Sequence, residues 1–254
     1  MNQIEVDFAE DIGKRPYMED RIIIEPNFYE GWSLFAVCDG HGGSYVCNFL
    51  KFHMKDILVE QLKETTDLVL AIRETIKKIT SQLNINEAAF QGSTLCAVMI
   101  KSNLIISINI GDSRAVMGFK DQAADLTTDH KPADPAEESR IVASGGFVSR
   151  NAMDVPRVNG NLAVSRSLGD FYLFPYVISD PDIKGFNLAA LEECYIVIAT
   201  DGIWDVLHGF EVVQLLSLGA KARDLMSLAT EKGSMDNMAV LILHKTVVQK
   251  INIE

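Results

Sequence analysis

Strand-like segments follow one another in runs along this chain, whereas segments with helical periodicity come in pairs. Short apolar stretches between turn signals predict strands over 4–8, 21–25, 33–38, 93–100, 104–110 and 114–119. Helical spacing of apolar residues covers 45–79, 136–143 and 211–232, the last with a break at Leu218 and Gly219. The strict strand–helix alternation of a doubly wound parallel sheet is absent. We therefore predict an α+β fold in which two antiparallel sheets form a central β-sandwich and pairs of α-helices cover its outer faces.

Length and composition favour a single domain over residues 1–254. The 254 residues are 48% hydrophobic, which suffices for a large buried core. No linker rich in proline, glycine or serine, no low-complexity tract and no internal repeat divides the sequence.

The charge balance narrows the class of partner. The chain carries 35 acidic and 23 basic residues, for a net charge of -12. Nucleic acids and anionic membranes both favour a basic surface, so neither is expected as the main partner. We take a monomer as the default oligomeric state.

Cysteine spacing and the N-terminal segment indicate the compartment. The cysteines at 38, 47, 96 and 194 are widely spaced and form no paired CxxC pattern, which argues against a zinc site. Signal-peptide and myristoylation patterns are missing from the first residues, and no apolar run approaches the ~20 residues of a membrane helix. We expect reduced thiols in a soluble protein of the cytoplasm, the nucleus or both.

Acidic residues stand where three apolar strands begin or end. Asp39 follows 34–38, Asp201 follows 195–200, and Asp236 precedes 238–243. Carboxylates that meet at one edge of a sandwich form an all-oxygen pocket, which is unstable unless cations fill it. Such hard ligands suit Mg²⁺ or Mn²⁺.

Neighbouring residues extend this metal hypothesis. Glu19 offers a fourth carboxylate, and the bend allowed by Gly40 lets its carbonyl face a metal. Two divalent ions would neutralise four carboxylates. Arg15 would then make the site net positive, which suits a phosphate dianion.

Each of these residues also has a simpler interpretation. Asp-Gly after a strand is most often a turn, and His41 in a glycine-rich loop is most often solvated. Arg15 reads as a surface charge, and Asp112 as a structural turn residue. The metal interpretation depends on their occurring together in one order.

That order resembles a known family, the metal-dependent type 2C protein serine/threonine phosphatases (PPM). Nine segments between Arg15 and Leu243 carry the resemblance: 15–20 (RPYMED), 39–43 (DGHGG), 92–94 (GST), 111–114 (GDSR), 129–132 (DHKP), 157–160 (RVNG), 162–170 (LAVSRSLGD), 200–205 (TDGIWD) and 233–237 (GSMDN). The resemblance implies a single phosphatase catalytic domain with four αββα layers.

The resemblance also implies a binuclear Mg²⁺ or Mn²⁺ centre, with Asp39 bridging both ions. By motif position its ligands are Glu19, Asp39, the Gly40 carbonyl, Asp201 and Asp236.

Further positions take supporting roles by the same resemblance. Asp20 would orient bound water, and Asn237 would support Asp236. Asp129 and Asp205 match positions associated with a third, weaker metal site.

The implied reaction is hydrolysis of phosphoserine and phosphothreonine in protein substrates. A water bridging the two ions attacks phosphorus directly. Arg15 binds the phosphate with its planar fork, and His41 protonates the departing oxygen. Motifs for covalent or nucleotide-driven chemistry are absent from the sequence.

Three alternatives stay open at this point. A catalytically inert scaffold would fit better if a ligand carboxylate were missing, but Glu19 and the three aspartates are present. A structural calcium module explains neither Arg15 nor His41. A hydrolase of small phosphomonoesters, or of a bacterial-type regulatory phosphoprotein, is not separated from a general protein phosphatase by these motifs.

Cys38 is either a small buried hydrophobe or a redox-sensitive thiol beside the metals.

Overall fold

Residues 2–120, 122–151 and 154–247 are described by the computed structural model. The strands in chain order are β1 (Asn2–Asp11), β2 (Arg21–Tyr29), β3 (Trp32–Cys38), β4 (Gly40–His41), β5 (Gly92–Ser93), β6 (Leu95–Lys101), β7 (Leu104–Ile110), β8 (Arg114–Phe119), β9 (Gln122–Asp125), β10 (Val148–Ser149), β11 (Arg157–Val158), β12 (Leu168–Gly169), β13 (Asp182–Asn187), β14 (Glu193–Ala199) and β15 (Met238–Val247). The helices are α1 (Tyr45–Glu64), α2 (Leu68–Gln82), α3 (Pro135–Ala143), α4 (Asp201–Trp204), α5 (Gly209–Ser217) and α6 (Ala222–Glu231).

Two five-stranded sheets form the centre of the molecule. One has the order β1-β15-β14-β8-β9 and the other β13-β7-β6-β3-β2. Every neighbouring pair in both sheets is antiparallel. The inner faces pack against each other through apolar side chains such as Phe35, Val98, Ile196 and Leu241.

Helices cover both outer faces. Alternation along β3 turns Leu34 away from the inner face and toward α1 and α2, where it joins a core with Leu50 and Ile72. On the other sheet, Val197 and Leu225 belong to the corresponding core beneath α4, α5 and α6. The predicted α+β sandwich with flanking helix pairs is confirmed.

Local sequence signals account for some of the element boundaries. Asp67 accepts hydrogen bonds from the backbone N–H groups of Val69 and Leu70, which caps the start of α2. The predicted break between α5 and α6 is present, with Gly219 at φ +92°. One predicted strand, 93–100, divides into β5 and β6 at Thr94. The Thr94 hydroxyl accepts the Asp39 backbone N–H at 3.1 Å and pairs with Ser113 Oγ at 2.7 Å.

A small fourth cluster joins α3 to the segment that follows it. Its buried members are Ile141, Val158, Leu173 and Val177. The aromatic residues after Asp170 divide by environment: Phe171 packs against the core beneath α1 and α2, whereas Phe174 is exposed.

All four cysteines are free and buried. Burial raises the pKa of the Cys38 thiol well above its usual range. Within the described ranges, no helix combines the length and the apolar composition needed to cross a membrane.

Candidate metal centre

Three carboxylates meet at one end of the sandwich. Asp39 directly follows β3, Asp112 lies in the turn between β7 and β8, and Asp201 begins α4 just after β14. One oxygen of each lies within 4.8 Å of the others. This set is called the acidic cluster below. It draws on both sheets, because β3 and β7 belong to one and β14 to the other.

The carboxylates of the acidic cluster repel one another when ionised, and within the cluster Lys131 pairs with Asp112. Burial raises the pKa of Asp39 well above its usual range, and the charge of Asp201 adds to the effect. Burial, with the charges of Asp112 and Asp205, raises the pKa of Asp201 to about 7. Oxygen donors with excess negative charge are what Mg²⁺ and Mn²⁺ require. The donor set therefore fits the predicted divalent metals.

Asp112 was not among the predicted metal ligands. Its side chain is buried and accepts a hydrogen bond from Lys131 Nζ at 2.9 Å. It belongs to the segment Gly111-Asp112-Ser113-Arg114, which the sequence identifies as a turn. The sequence of a turn does not predict which other strand ends will lie near it in the folded protein.

Asp236 lies beside Arg15. Its Oδ2 accepts a hydrogen bond from Arg15 Nη2 at 2.6 Å, and its Oδ1 accepts the backbone N–H of Asn237 at 2.7 Å. The hydrogen bond to Asp236, with the charges of Asp201 and Asp39, raises the pKa of Arg15 against the opposing effect of burial. The guanidinium group thus pairs with Asp236, although 55% of the Arg15 side chain is exposed.

The Asn237 side chain ties the loop before β2 to the start of β15. Its Oδ1 accepts the Glu19 backbone N–H at 2.7 Å, and its Nδ2 donates to the carbonyls of Ile12 and Tyr17 at 2.8 and 3.0 Å. Three bonds from one amide fix the segment that carries Glu19.

Gly40 allows two backbones to approach closely. A Cβ at Gly40 would lie 2.6 Å from the Glu19 carbonyl oxygen and 2.7 Å from Cys47 Sγ. The Cys47 thiol donates to the same carbonyl at 2.7 Å. Only a glycine at position 40 allows the backbone that carries Glu19 to lie this close to the backbone next to Asp39.

Asp20 lies deeper than Glu19, between the ends of β14 and β15. It accepts a hydrogen bond from Thr200 Oγ1 at 2.8 Å, and Thr200 Oγ1 in turn accepts the Ala239 backbone N–H at 3.0 Å. Burial raises the pKa of Asp20 well above its usual range.

The two residues predicted for a third metal already have cationic neighbours. Asp129 receives two hydrogen bonds from Arg114, at 2.9 and 2.7 Å. Asp205 is exposed and lies 4.0 Å from Lys131 Nζ. Their role in metal binding stays a prediction.

His41 is held by an aspartate distant in sequence. Its Nε2 lies 2.7 Å from Asp170 Oδ2, and the same oxygen accepts a hydrogen bond from Ser167 Oγ at 2.5 Å. Burial opposes protonation, but the hydrogen bond and charge of Asp170 dominate, so the pKa of His41 is raised. Asp170 was not predicted as a site residue, although it ends the segment 162–170 that carries part of the resemblance.

Comparisons with known proteins agree with this arrangement. The protein phosphatase 2C family profile matches residues 4–238. Probable protein phosphatase 2C 55 of Oryza sativa subsp. japonica is 37% identical over 241 residues, which cover 91% of this chain and 63% of the relative. This chain thus spans less than two thirds of that protein.

Two solved structures share the fold. A C. elegans sex determining protein matches with a TM-score of 0.87 and 25% identity, over 95% of this chain and 64% of that one. Serine-threonine phosphatase 2C from Toxoplasma gondii matches with a TM-score of 0.84 and 22% identity, over 96% and 95%, a likeness of fold alone. By contrast, the family profile and the relative that is 37% identical each match most of this chain, which shows that they belong to one family. The chain therefore belongs to the protein phosphatase 2C family.

Proposed function

We propose that this chain is a metal-dependent phosphatase that hydrolyses phosphoserine and phosphothreonine in protein substrates. The acidic cluster carries this proposal, since three carboxylates whose oxygens lie within 4.8 Å of one another form a site suited to divalent cations, and the pKa values of Asp39 and Asp201 are raised. The ligands would be Glu19, Asp39, the Gly40 carbonyl, Asp201 and Asp236. Two Mg²⁺ or Mn²⁺ ions there would supply Lewis-acid stabilisation of phosphate charge and a lowered pKa for a water between them.

The chain's own residues would position the phosphate and handle the proton. Arg15 uses Nη2 for Asp236, which leaves the rest of its exposed fork to bind phosphate oxygens. His41, with its raised pKa, would protonate the departing seryl or threonyl oxygen. Asp20, buried beside Thr200, would help orient water in the centre.

Phosphate release from a phosphothreonine peptide tests the function. We expect release with Mn²⁺ or Mg²⁺, none with EDTA, and none from Asp39→Ala with metal present. Asp56→Ala on α1, where the side chain is 77% exposed, is the matched control and should keep wild-type activity. No release under any metal, from wild-type protein shown to be folded, would contradict the proposal and favour an inert scaffold.

The same assay separates a protein phosphatase from a hydrolase of small phosphomonoesters. We expect a higher kcat/KM on the phosphothreonine peptide than on free phosphothreonine. The reverse order would contradict the proposed substrate class.

We further propose a monomer that acts in the cytoplasm or nucleus, since four buried reduced thiols suit a reducing compartment. Light scattering that gives a multiple of the 28.1 kDa chain mass would contradict the monomer. Imaging of the tagged protein outside both compartments would contradict the location.

A further inference from the structure

One ring nitrogen of the His41 imidazole contacts a buried carboxylate. Its Nε2 is 2.7 Å from Asp170 Oδ2. The Asp170 residue is only 1% exposed, whereas the His41 side chain is 28% exposed. Nε2 is therefore held by a buried carboxylate, while part of the His41 side chain stays open to solvent.

Three very short strands build this contact from distant parts of the chain. In the sheet β12-β5-β4, His41 pairs with Gly92, and Gly92 pairs with Gly169, the residue before Asp170. A Cβ at Gly92 would lie 2.0 Å from Asp170 Oδ2 and 2.5 Å from His41 Nε2. The middle strand must carry glycine there if the histidine and the aspartate are to meet across it.

Asp170 is itself held in place. Its backbone adopts the left-handed conformation at φ +50°, and its N–H donates to the Gln91 carbonyl at 3.0 Å. Ser167 Oγ donates to the same carboxylate oxygen that His41 contacts. A buried carboxylate costs free energy unless it is paired, and here His41 is its only cationic partner among the described residues.

We propose that Asp170 is a positioning residue, which anchors the His41 imidazole through Nε2 so that Nδ1 delivers the proton to the leaving oxygen. This inference rests on the proposed phosphatase function. The acid form of His41 carries a proton on each nitrogen. As the P–O bond breaks, the Nδ1 proton passes to the seryl or threonyl oxygen, and the neutral imidazole keeps Nε2–H hydrogen-bonded to Asp170. A carboxylate that fixes ring orientation and tautomer in this way is a known device of histidine chemistry.

A double-mutant cycle on two substrates tests the assignment. Asp170→Asn keeps the shape of the side chain, but its amide can present a donor to Nε2 and removes the anchoring charge. We expect kcat on a phosphothreonine peptide to fall about 10- to 100-fold with KM little changed. The loss on p-nitrophenyl phosphate should be much smaller, because that leaving group needs little protonation.

Non-additivity is the second criterion. Adding Asp170→Asn to His41→Ala should change kcat by less than about 2-fold, because the residue that Asp170 positions is already gone. Ser167→Ala, which keeps the carboxylate, should give a smaller loss with the same substrate dependence, and it carries the test if Asp170→Asn does not fold. Asp182→Asn is the matched control, since Asp182 faces a different histidine, His130, at 3.4 Å; we expect equal, small effects on both substrates.

The outcomes separate this inference from the proposed function. With active wild-type enzyme, equal losses on both substrates or additive losses in the double variant would overturn the role of Asp170 alone. Wild-type protein that releases phosphate from neither substrate would overturn the proposed function, and this assignment with it.

Discussion

Gly40 lies between the acidic cluster and helix α1, where there is no space for a side chain. Its backbone lies against the Glu19 carbonyl and the Cys47 thiol. The same close approach brings Glu19 beside the strand end that carries Asp39. At this scale, the proposed metal centre depends on the absence of a single Cβ as much as on its carboxylates.

Gly40→Ala should therefore impair both the fold and metal binding. A Cβ 2.6 Å from a backbone oxygen cannot be accommodated without moving the segment that carries Glu19. We expect a loss of about 1–3 kcal/mol in unfolding free energy, measured by urea denaturation, and weaker Mn²⁺ binding by calorimetry. Gly185→Ala is the control, because a Cβ there would meet Ile106 at an ordinary 3.5 Å. Equal effects of the two substitutions would contradict this account.

The raised carboxyl pKa values predict how stability depends on pH. Asp201 has a pKa of about 7 in the folded protein, well above that of an unfolded chain. Between about pH 4 and about pH 7 the unfolded state releases this proton more readily, so the metal-free protein should lose stability as pH rises. Below about pH 4 both states are protonated and the penalty is absent.

Urea midpoints of the metal-free protein across this pH range measure the effect. Asp201→Asn should flatten the decline, whereas the exposed Asp56→Asn should not. Saturating Mn²⁺ should also reduce it, since bound metal favours the ionised carboxylates. A decline from about pH 5 to about pH 7 that is as steep in Asp201→Asn as in wild type, or a wild-type stability that rises over this range, would contradict the prediction.

At the scale of elements, one buried carboxylate adds to the apolar contacts that anchor α3 to the rest of the molecule. Glu137 accepts hydrogen bonds from Arg166 Nη2 at 2.6 Å and Arg140 Nη2 at 2.9 Å. Although burial opposes ionisation, these bonds lower the pKa of Glu137 to about 2. The next residue, Glu138, pairs with Arg150 at the surface. Two adjacent glutamate carboxylates thus lie in different environments, one buried and one at the surface.

Substituting the two glutamates separately should show the difference. Glu137→Gln removes the negative charge that balances two arginines in a buried site, and we expect a loss of about 2–4 kcal/mol in unfolding free energy. Glu138→Gln should have little effect, because exposed ion pairs contribute little to stability. Urea denaturation of both variants at neutral pH measures this, and similar losses would contradict the buried anchor.

The elements also show what sequence patterns could predict. Asp39 and Asp201 were identifiable because each ends a long apolar strand, a signal contained within a few residues. The pairing of His41 with Asp170 was not, because the two are 129 residues apart and meet across strands only two residues long. The partners Arg114 and Lys131 of the acidic residues were missed for the same reason, since ion pairs depend on tertiary packing.

Over the whole molecule, the sandwich brings strand ends from both sheets to one acidic site. The end of β3 supplies Asp39 from one sheet and the end of β14 supplies Asp201 from the other, while Asp236 precedes β15 and pairs with Arg15. Cations bound between them would link the two sheets and stabilise the folded state by mass action. The net charge of -12 adds to the same preference for cations.

A crystal structure of the wild-type protein with Mn²⁺, analysed by anomalous scattering, tests the metal centre most directly. The account predicts anomalous peaks about 2.1 Å from the Asp39 and Asp201 carboxylate oxygens, lost in Asp39→Ala crystals grown under the same conditions. Well-ordered Asp39 and Asp201 side chains with no anomalous peak between them at saturating Mn²⁺ would contradict it.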